Sequence, residues 1–223
     1  MKINEYIEIT NEDNMELMSR YPDNYFDLAI VDPPYGIMDK HYRKNKTGMT
    51  KGCFNEIKEK GWDNTIPSDE YFKELFRVSK NQIIWGGNYF LDYLGATSCF
   101  LIWDKQNGTN NMSDAELAWA SFETSVRIYK GHIFKGIGCT KYKTIHPTQK
   151  PILLYQWILQ KYAKENYKIL DTHLGSGSIA VALDSVNKIE KMNLTLTACE
   201  IDADYFKTST DNVISQINWT SLF

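Results

Sequence analysis

The chain has 223 residues, 43% of them hydrophobic and 13% aromatic, enough for one sizeable core with at most a small added lobe. No apolar run approaches a membrane span, no basic-then-apolar leader is present, and Cys53, Cys99, Cys139 and Cys199 form no Cys-x-x-Cys pair; a membrane protein, a disulfide scaffold and a zinc module are disfavoured, and a soluble cytoplasmic protein with scattered thiols is expected. The net charge of −3 averages two basic segments, residues 39–51 and 124–150, over an acidic remainder, the pattern of a body that holds a polyanion on one face.

In chain order, Tyr6–Ile9 alternates as a strand, and Met15, Leu17 and Met18 give one side of a short helix after Asn11-Glu12-Asp13. The turn Pro22-Asp23-Asn24 leads into Phe26–Val31, an apolar run that reads as a buried strand. It stops at Asp32-Pro33-Pro34-Tyr35, because two prolines forbid the ladder to continue. A strand, crossover helix and second strand normally run parallel, so Asp13 and Asp32 are expected to face one crevice. Pro33 and Pro34 also fix φ and remove two donors, leaving rigid carbonyls between an acid and a phenol ring. That is a clamp for a planar group bearing an amine.

Residues 36–66 show no periodicity and follow the clamp directly, as a mobile loop or lid would. Within them Lys40, Arg43, Lys44 and Lys46, with Lys51, outweigh Asp39 for a local charge of +4. Ser68 is placed to cap a helix whose apolar face is Tyr71, Phe72, Leu75, Phe76 and Val78. Gln82–Trp85 is the next strand, closed by Gly86-Gly87-Asn88; Tyr89–Leu94 reads as a short helix and Ser98–Trp103 as another buried strand. Residues 106–123 read as a polar loop and then a short strand or helix turn. Ser125–Tyr129 is a strand before a basic loop, and Arg127, Lys130, Lys135, Lys141, Lys143 and Lys150 meet no acid between residues 124 and 150, a local +6.

His146-Pro147-Thr148-Gln149-Lys150-Pro151 punctuates the chain, and Pro151 suits the first turn of a helix from Ile152 to Lys164. Tyr167–Leu170 is a short strand running into Asp171-Thr172-His173-Leu174-Gly175-Ser176-Gly177-Ser178. A helix from Ile179 to Val186 and a strand from Leu194 to Cys199 follow, and Glu200 stands 23 residues beyond Gly177. Glycines let a ligand approach the backbone, the helix start offers free amides, and the acid can take ribose hydroxyls. The full dinucleotide fingerprint is missing a third glycine, and the absence of Gly-Lys-Ser/Thr excludes a Walker phosphate loop.

Taken together, these motifs resemble the S-adenosylmethionine-dependent DNA methyltransferases that modify exocyclic amino groups, most closely the phage-type adenine methylases. The target clamp precedes the glycine turn, the order of the circularly permuted β class, and the resemblance runs through nearly the whole chain. It implies an α/β fold with a Rossmann-like doubly wound sheet, in a single domain over residues 1–223. A small inserted segment, residues 106–145, is the candidate target-recognition element. It also implies that Asp32 and the Pro33 carbonyl hold the target amine, with Pro34 completing the clamp and Tyr35 stacking on the flipped base. Asp171, Gly175, Ser176 and Gly177 would line the methionine end of S-adenosyl-L-methionine. Glu200 would take its ribose, Asp13 its adenine amine, and Thr148 and Lys150 would close over it. Lys40, Arg43, Lys44, Lys46, Arg127, Lys130, Lys135, Lys141 and Lys143 are the candidate phosphate contacts to double-stranded DNA. Where the family often has Asp-Pro-Phe, this chain has Asp171-Thr172-His173, so an imidazole replaces an aromatic cofactor contact.

The implied reaction is direct methyl transfer to the amino group of adenine in an extruded base, without a metal or a covalent enzyme intermediate. Alternatives are cytosine amino methylation, adenine methylation in RNA, and a catalytically silent nucleic-acid-binding protein. Protein glutamine methylases, with a related Asn-Pro-Pro-Tyr clamp, carry their glycine turn before it and are disfavoured by order. The short recognition segment leaves room for a homodimer to complete specificity.

Overall fold

The computed structural model describes residues 1–36, 65–107, 113–131, 145 and 149–220. Most of the proposed lid, much of the recognition segment, and residues 146–148 therefore lie outside the described residues, and with them Lys40, Arg43, Lys44, Lys46, Lys135, Lys141, Lys143 and Thr148.

Among the described residues eight strands form one sheet: β1 Ile7–Asn11, β2 Leu28–Val31, β3 Gln82–Trp85, β4 Cys99–Asp104, β5 Ala115–Ala120, β6 Arg127–Lys130, β7 Lys168–Asp171 and β8 Thr195–Glu200. Their spatial order is β1-β8-β7-β2-β3-β5-β4-β6, and all neighbours run parallel except β5, which is antiparallel to β3 and β4. The helices are α1 Asn14–Ser19, α2 Asp69–Val78, α3 Ile152–Tyr162, α4 Ser178–Glu190 and α5 Ala203–Thr220.

Side chains alternate across a strand with a period of two, and both faces of this sheet are covered. Leu28 and Ile30 join Ile83, Trp85, Ile169 and Ala198 in a core that includes Leu154, Ile158, Ile179, Leu183 and Val213 from α3, α4 and α5. Ala29, Val31, Ile84, Leu170 and Cys199 point the other way, into a core with Leu17, Met18, Phe72 and Leu75 from α1 and α2. Continuous apolar runs such as Leu28–Val31, buried at every residue, are what a strand sandwiched on both faces demands. The helix starts follow local chemistry: Asp13 accepts from Met15 N and Ser68 from Tyr71 N, each satisfying an otherwise orphaned amide. Among the described residues no helix is long and apolar enough to cross a membrane.

The doubly wound α/β expectation holds, with differences of detail. β1 and β2 are parallel but not neighbours, since β8 and β7 lie between them. Tyr89–Leu94 is not a helix. A 3-10 turn at Gly87–Tyr89 is followed by single turns, Tyr93 N bonding to Phe90 O at 2.9 Å, where Gly86, at φ +68°, and Gly87 let the backbone close on Tyr35 and Trp119. The ambiguous stretch after residue 106 contains the strand β5. The strand expected at Ser125–Tyr129 is shifted to Arg127–Lys130, and α4 continues past Val186 to Glu190.

Candidate active site

The chain leaves β7 through α4 toward β8 on one side, and leaves β2 through α2 toward β3 on the other. In a doubly wound sheet the crevice outside the carboxyl ends of such diverging strands is where ligands bind. A cleft of about 180 Å³ lies there. Its walls come from the ends of four adjacent strands: Glu12 and Asn14 after β1, Glu200, Ile201 and Asp202 after β8, Thr172–Ser176 after β7, and Asp32 and Pro34 after β2. Gln149, Lys150 and Tyr155, around the start of α3, and Tyr205 complete it.

On the β8 side the Glu200 carboxylate is fixed by two backbone amides, Gly175 N to Oε2 and Asp202 N to Oε1, each at 3.0 Å. Burial nevertheless raises its pKa above the usual value. Ile201, 66% exposed, adds an apolar surface, and Gly175, at φ +54°, lines the cleft without a side chain. An anchored acid, an apolar side chain and a bare backbone turn suit the hydroxyls, base and amino-acid end of an adenosyl cofactor.

Three expected cofactor residues are placed elsewhere. Asp13 is the α1 cap, its carboxylate held by Met15 N at 2.7 Å, and only its neighbours reach the cleft wall. Asp171 is 3% exposed and accepts the His173 amide at 3.0 Å. Burial first, then Asp32 and Glu200, raise its carboxyl to about 7 against that amide. Gly177 serves packing: its φ is +74°, and a Cβ there would lie 2.6 Å from Val213 Cγ2 of α5. Ser176 does line the cleft, its hydroxyl 2.9 Å from that of Ser178.

His173 is half-buried in the cleft wall, with both ring nitrogens engaged. Asn14 Nδ2 lies 3.1 Å from its Nε2 and Thr172 Oγ1 lies 2.9 Å from its Nδ1. An amide nitrogen can only donate, so Nε2 accepts and Nδ1 carries the proton. Thr172 Oγ1 in turn bonds Tyr71 Oη at 2.7 Å. Burial lowers the imidazole pKa to about 4, so the ring is neutral at physiological pH.

On the β2 side the tetrad is drawn together. Tyr35 Oη donates to Asp32 Oδ1 at 2.6 Å, and burial, then the Asp32 charge, holds the phenol well above its usual range. The Tyr35 ring is stacked with Tyr89 at 5.1 Å and lies so close to Gly86, φ +68°, that a Cβ there would overlap it. Gly87 likewise gives way to Trp119. Pro33 is buried and Pro34 faces the cleft.

Lys150 is 2% exposed and does reach the cleft, but its ammonium bonds Asp32 Oδ2 and lies 3.3 Å from Glu116 Oε2, while Lys105 holds Glu116 Oε1 at 2.6 Å. Burial depresses Lys150, and the Asp32 and Glu116 charges outweigh it, leaving the ammonium above the ordinary lysine range. Burial likewise opposes Glu116, and Lys150 and Lys105 outweigh it to hold that carboxyl low. Sequence reasoning missed Glu116. Because β5 runs antiparallel, its first residues rather than its last reach the catalytic edge; an acid inside the apolar strand Ala115–Ala120 was the available signal. Arg127 and Lys130 are exposed on the edge strand β6.

The fold and site are those of a doubly wound α/β protein with a crevice at its strand ends beside an acid-and-aromatic clamp. A family model described as DNA methylase, covering N6 and N4 methyltransferases, matches residues 99–211, and the chain belongs to this DNA methylase family. No curated protein sequence matches it at comparable stringency. Among solved structures, the M1.HpyAVI–SAM complex is 19% identical with a TM-score of 0.58, over 93% of this chain and 98% of that one. PvuII DNA methyltransferase, described as cytosine-N4-specific, is 10% identical with a TM-score of 0.59, over 96% and 92%. A protein described as a DNA modification methylase of Thermus thermophilus, complexed with S-adenosyl-L-methionine, is 12% identical with a TM-score of 0.57, over 94% of each chain. At such identities the likeness is one of fold.

Proposed function

We propose that this DNA methylase transfers a methyl group from S-adenosyl-L-methionine to the exocyclic amino group of adenine in double-stranded DNA. The observation that carries the reading is the meeting, at one sheet edge, of the Asp32–Tyr35 clamp with the Glu200–Gly175 crevice. S-adenosyl-L-methionine supplies an electrophilic methyl group when bound. Glu200 takes the ribose hydroxyls, Ile201 offers its apolar face to the adenine, and Gly175 and Ser176 receive the methionine end.

The amine of a nucleobase is a poor nucleophile because its lone pair is delocalised into the ring. Asp32 and the Pro33 carbonyl accept its hydrogens, which turns the nitrogen toward tetrahedral geometry and frees the lone pair for attack. The base must leave the duplex to reach them, and Tyr35 provides the stacking face. Alignment and fixed dipoles supply the rate. An acid at the head of the tetrad favours adenine over cytosine, following the trend of the family that the sequence resembles; the motif order follows its permuted β class.

Labelled methyl transfer to unmethylated duplex DNA, followed by nucleoside digestion, tests both steps of this reading. N6-methyladenine is the expected product; N4-methylcytosine would move the assignment to cytosine, and no incorporation on any unmethylated duplex would overturn it. Asp32→Ala should lower the transfer rate by at least about a hundredfold, as losing a developing-charge acceptor does, with cofactor affinity by calorimetry unchanged. Transfer at the wild-type rate by that variant would sink the mechanism.

A further inference from the structure

Both oxygens of Asp32 are already occupied: Oδ1 by the Tyr35 hydroxyl at 2.6 Å and Oδ2 by the Lys150 ammonium. If Asp32 accepts a hydrogen of the target amine, the ammonium stands where that amine must go. It cannot simply withdraw into water, because the Lys150 side chain is 2% exposed and a buried ammonium without a partner is strongly disfavoured. A second acceptor must lie within reach.

Glu116 fits that requirement. Its Oε1 is anchored on Lys105 at 2.6 Å, whereas its Oε2 is buried, 3.3 Å from Lys150 Nζ, and accepts no hydrogen bond among the described residues. The face of the Trp85 ring, 5.1 Å from the ammonium, gives further support to a cation at this spot. The row Lys105, Glu116, Lys150, Asp32 alternates in sign, so a shift of Lys150 from Asp32 toward Glu116 keeps the ammonium paired, while Asp32 retains the Tyr35 hydroxyl.

We propose that Glu116 is a positioning residue for methyl transfer, the acceptor that takes Lys150 when the target amine displaces it from Asp32. The proposal rests on Asp32 being the amine acceptor. In the free protein Lys150 then acts as an internal stand-in for the substrate amine, and Glu116 makes its displacement inexpensive.

The test compares full-length wild type, Glu116→Gln, Glu116→Asp and the double variant Glu116→Gln/Lys150→Met in single-turnover methyl transfer to unmethylated genomic DNA, with labelled S-adenosyl-L-methionine and DNA both saturating. Base insertion follows DNA binding, so Glu116→Gln should slow transfer about tenfold, the worth of one charge-assisted hydrogen bond, with DNA and cofactor affinities unchanged. Glu116→Asp, which keeps the charge, should be faster than Glu116→Gln. Removing the displaced cation in the double variant should recover rate relative to Glu116→Gln, which a merely structural role would not produce. A Glu116→Gln rate equal to wild type, or a double variant no faster than Glu116→Gln, overturns the proposal. Cofactor affinity reports folding. If Glu116→Gln does not fold, transfer by the double variant at a tenth of the wild-type rate or more supports the proposal, and an inactive double variant overturns it. A wild type that transfers no methyl group would instead overturn the reading of Asp32 and this assignment with it.

Discussion

Asp171 and His173 lie two residues apart, and burial drives their proton equilibria in opposite directions, the acid up to about 7 and the imidazole down to about 4. An acid whose folded pKa exceeds its unfolded one binds more protons when folded. Its stabilisation is therefore full below about pH 4 and lost as the pH rises through 7. A base whose folded pKa is depressed does the reverse: stability is lost as the pH falls from about 6.5 toward 4, where the unfolded chain takes the proton first. In the wild type the two slopes oppose one another over pH 4 to 6.5. Asp171→Asn keeps an acceptor for the His173 amide and removes one slope. Urea titrations should then show unfolding free energy climbing from pH 4.5 to 7, and at pH 8 the variant should exceed wild type by a few kcal/mol, on the order of the pKa displacement. A variant less stable than wild type at pH 8 would contradict the assignment. At this scale the sequence was an uneven guide. The positions of the tetrad, Glu200 and Gly175 beside one cleft could be read because they follow strand ends. Asp13 and Gly177 do not line the cleft: a cap and a packing glycine carry the same letters as ligand contacts.

The glycine turn shows what an element adds to a motif. Gly177 sits left-handed at the start of α4 because α5 passes directly over it, bringing Val213 against the position of its missing Cβ. Gly177→Ala should lower unfolding free energy by about 2 kcal/mol or more, from the left-handed penalty and the overlap together, measured by chemical denaturation. An effect within experimental error would mean that α5 yields freely. Sequence reading placed the strands well, β3 to the residue, because runs such as Gln82–Trp85 are bounded by turn residues. It stopped at Glu200 and gave no helix for α5, although Tyr205, Val213 and Ile217 are buried at helical spacing. A helix that packs over other helices announces itself only through its own periodicity. It also took Tyr89–Leu94 for a helix, where Gly86 and Gly87 instead fold the backbone around Tyr35 and Trp119.

For the whole molecule, a net charge of −3 means that attraction to DNA must come from local clusters rather than the overall field. Replacing Lys40, Arg43, Lys44 and Lys46 by serine should flatten the dependence of log affinity on log salt by about 0.9 for each residue that meets a phosphate, as read by anisotropy titrations at several salt concentrations. An unchanged slope would place the phosphate contacts elsewhere. The sheet order has a consequence of another kind. Within the sheet the edge strand β1 has β8 as its strand partner, its other side being bridged by Met1–Ile3, and Asn11 Nδ2 bonds Glu200 O at 2.7 Å across 189 residues of chain, whereas β2 and β3 join segments far closer in sequence. During synthesis the ladder of β1 must therefore wait for β8, the last of these eight strands in chain order. Long-range pairing of this kind slows folding and prolongs the exposure of apolar edges. Nascent chains would acquire the surroundings of Asp32 first and those of Glu200 last, so during synthesis it is the open β8-facing edge of Ile7 and Ile9 that chaperones would have to guard.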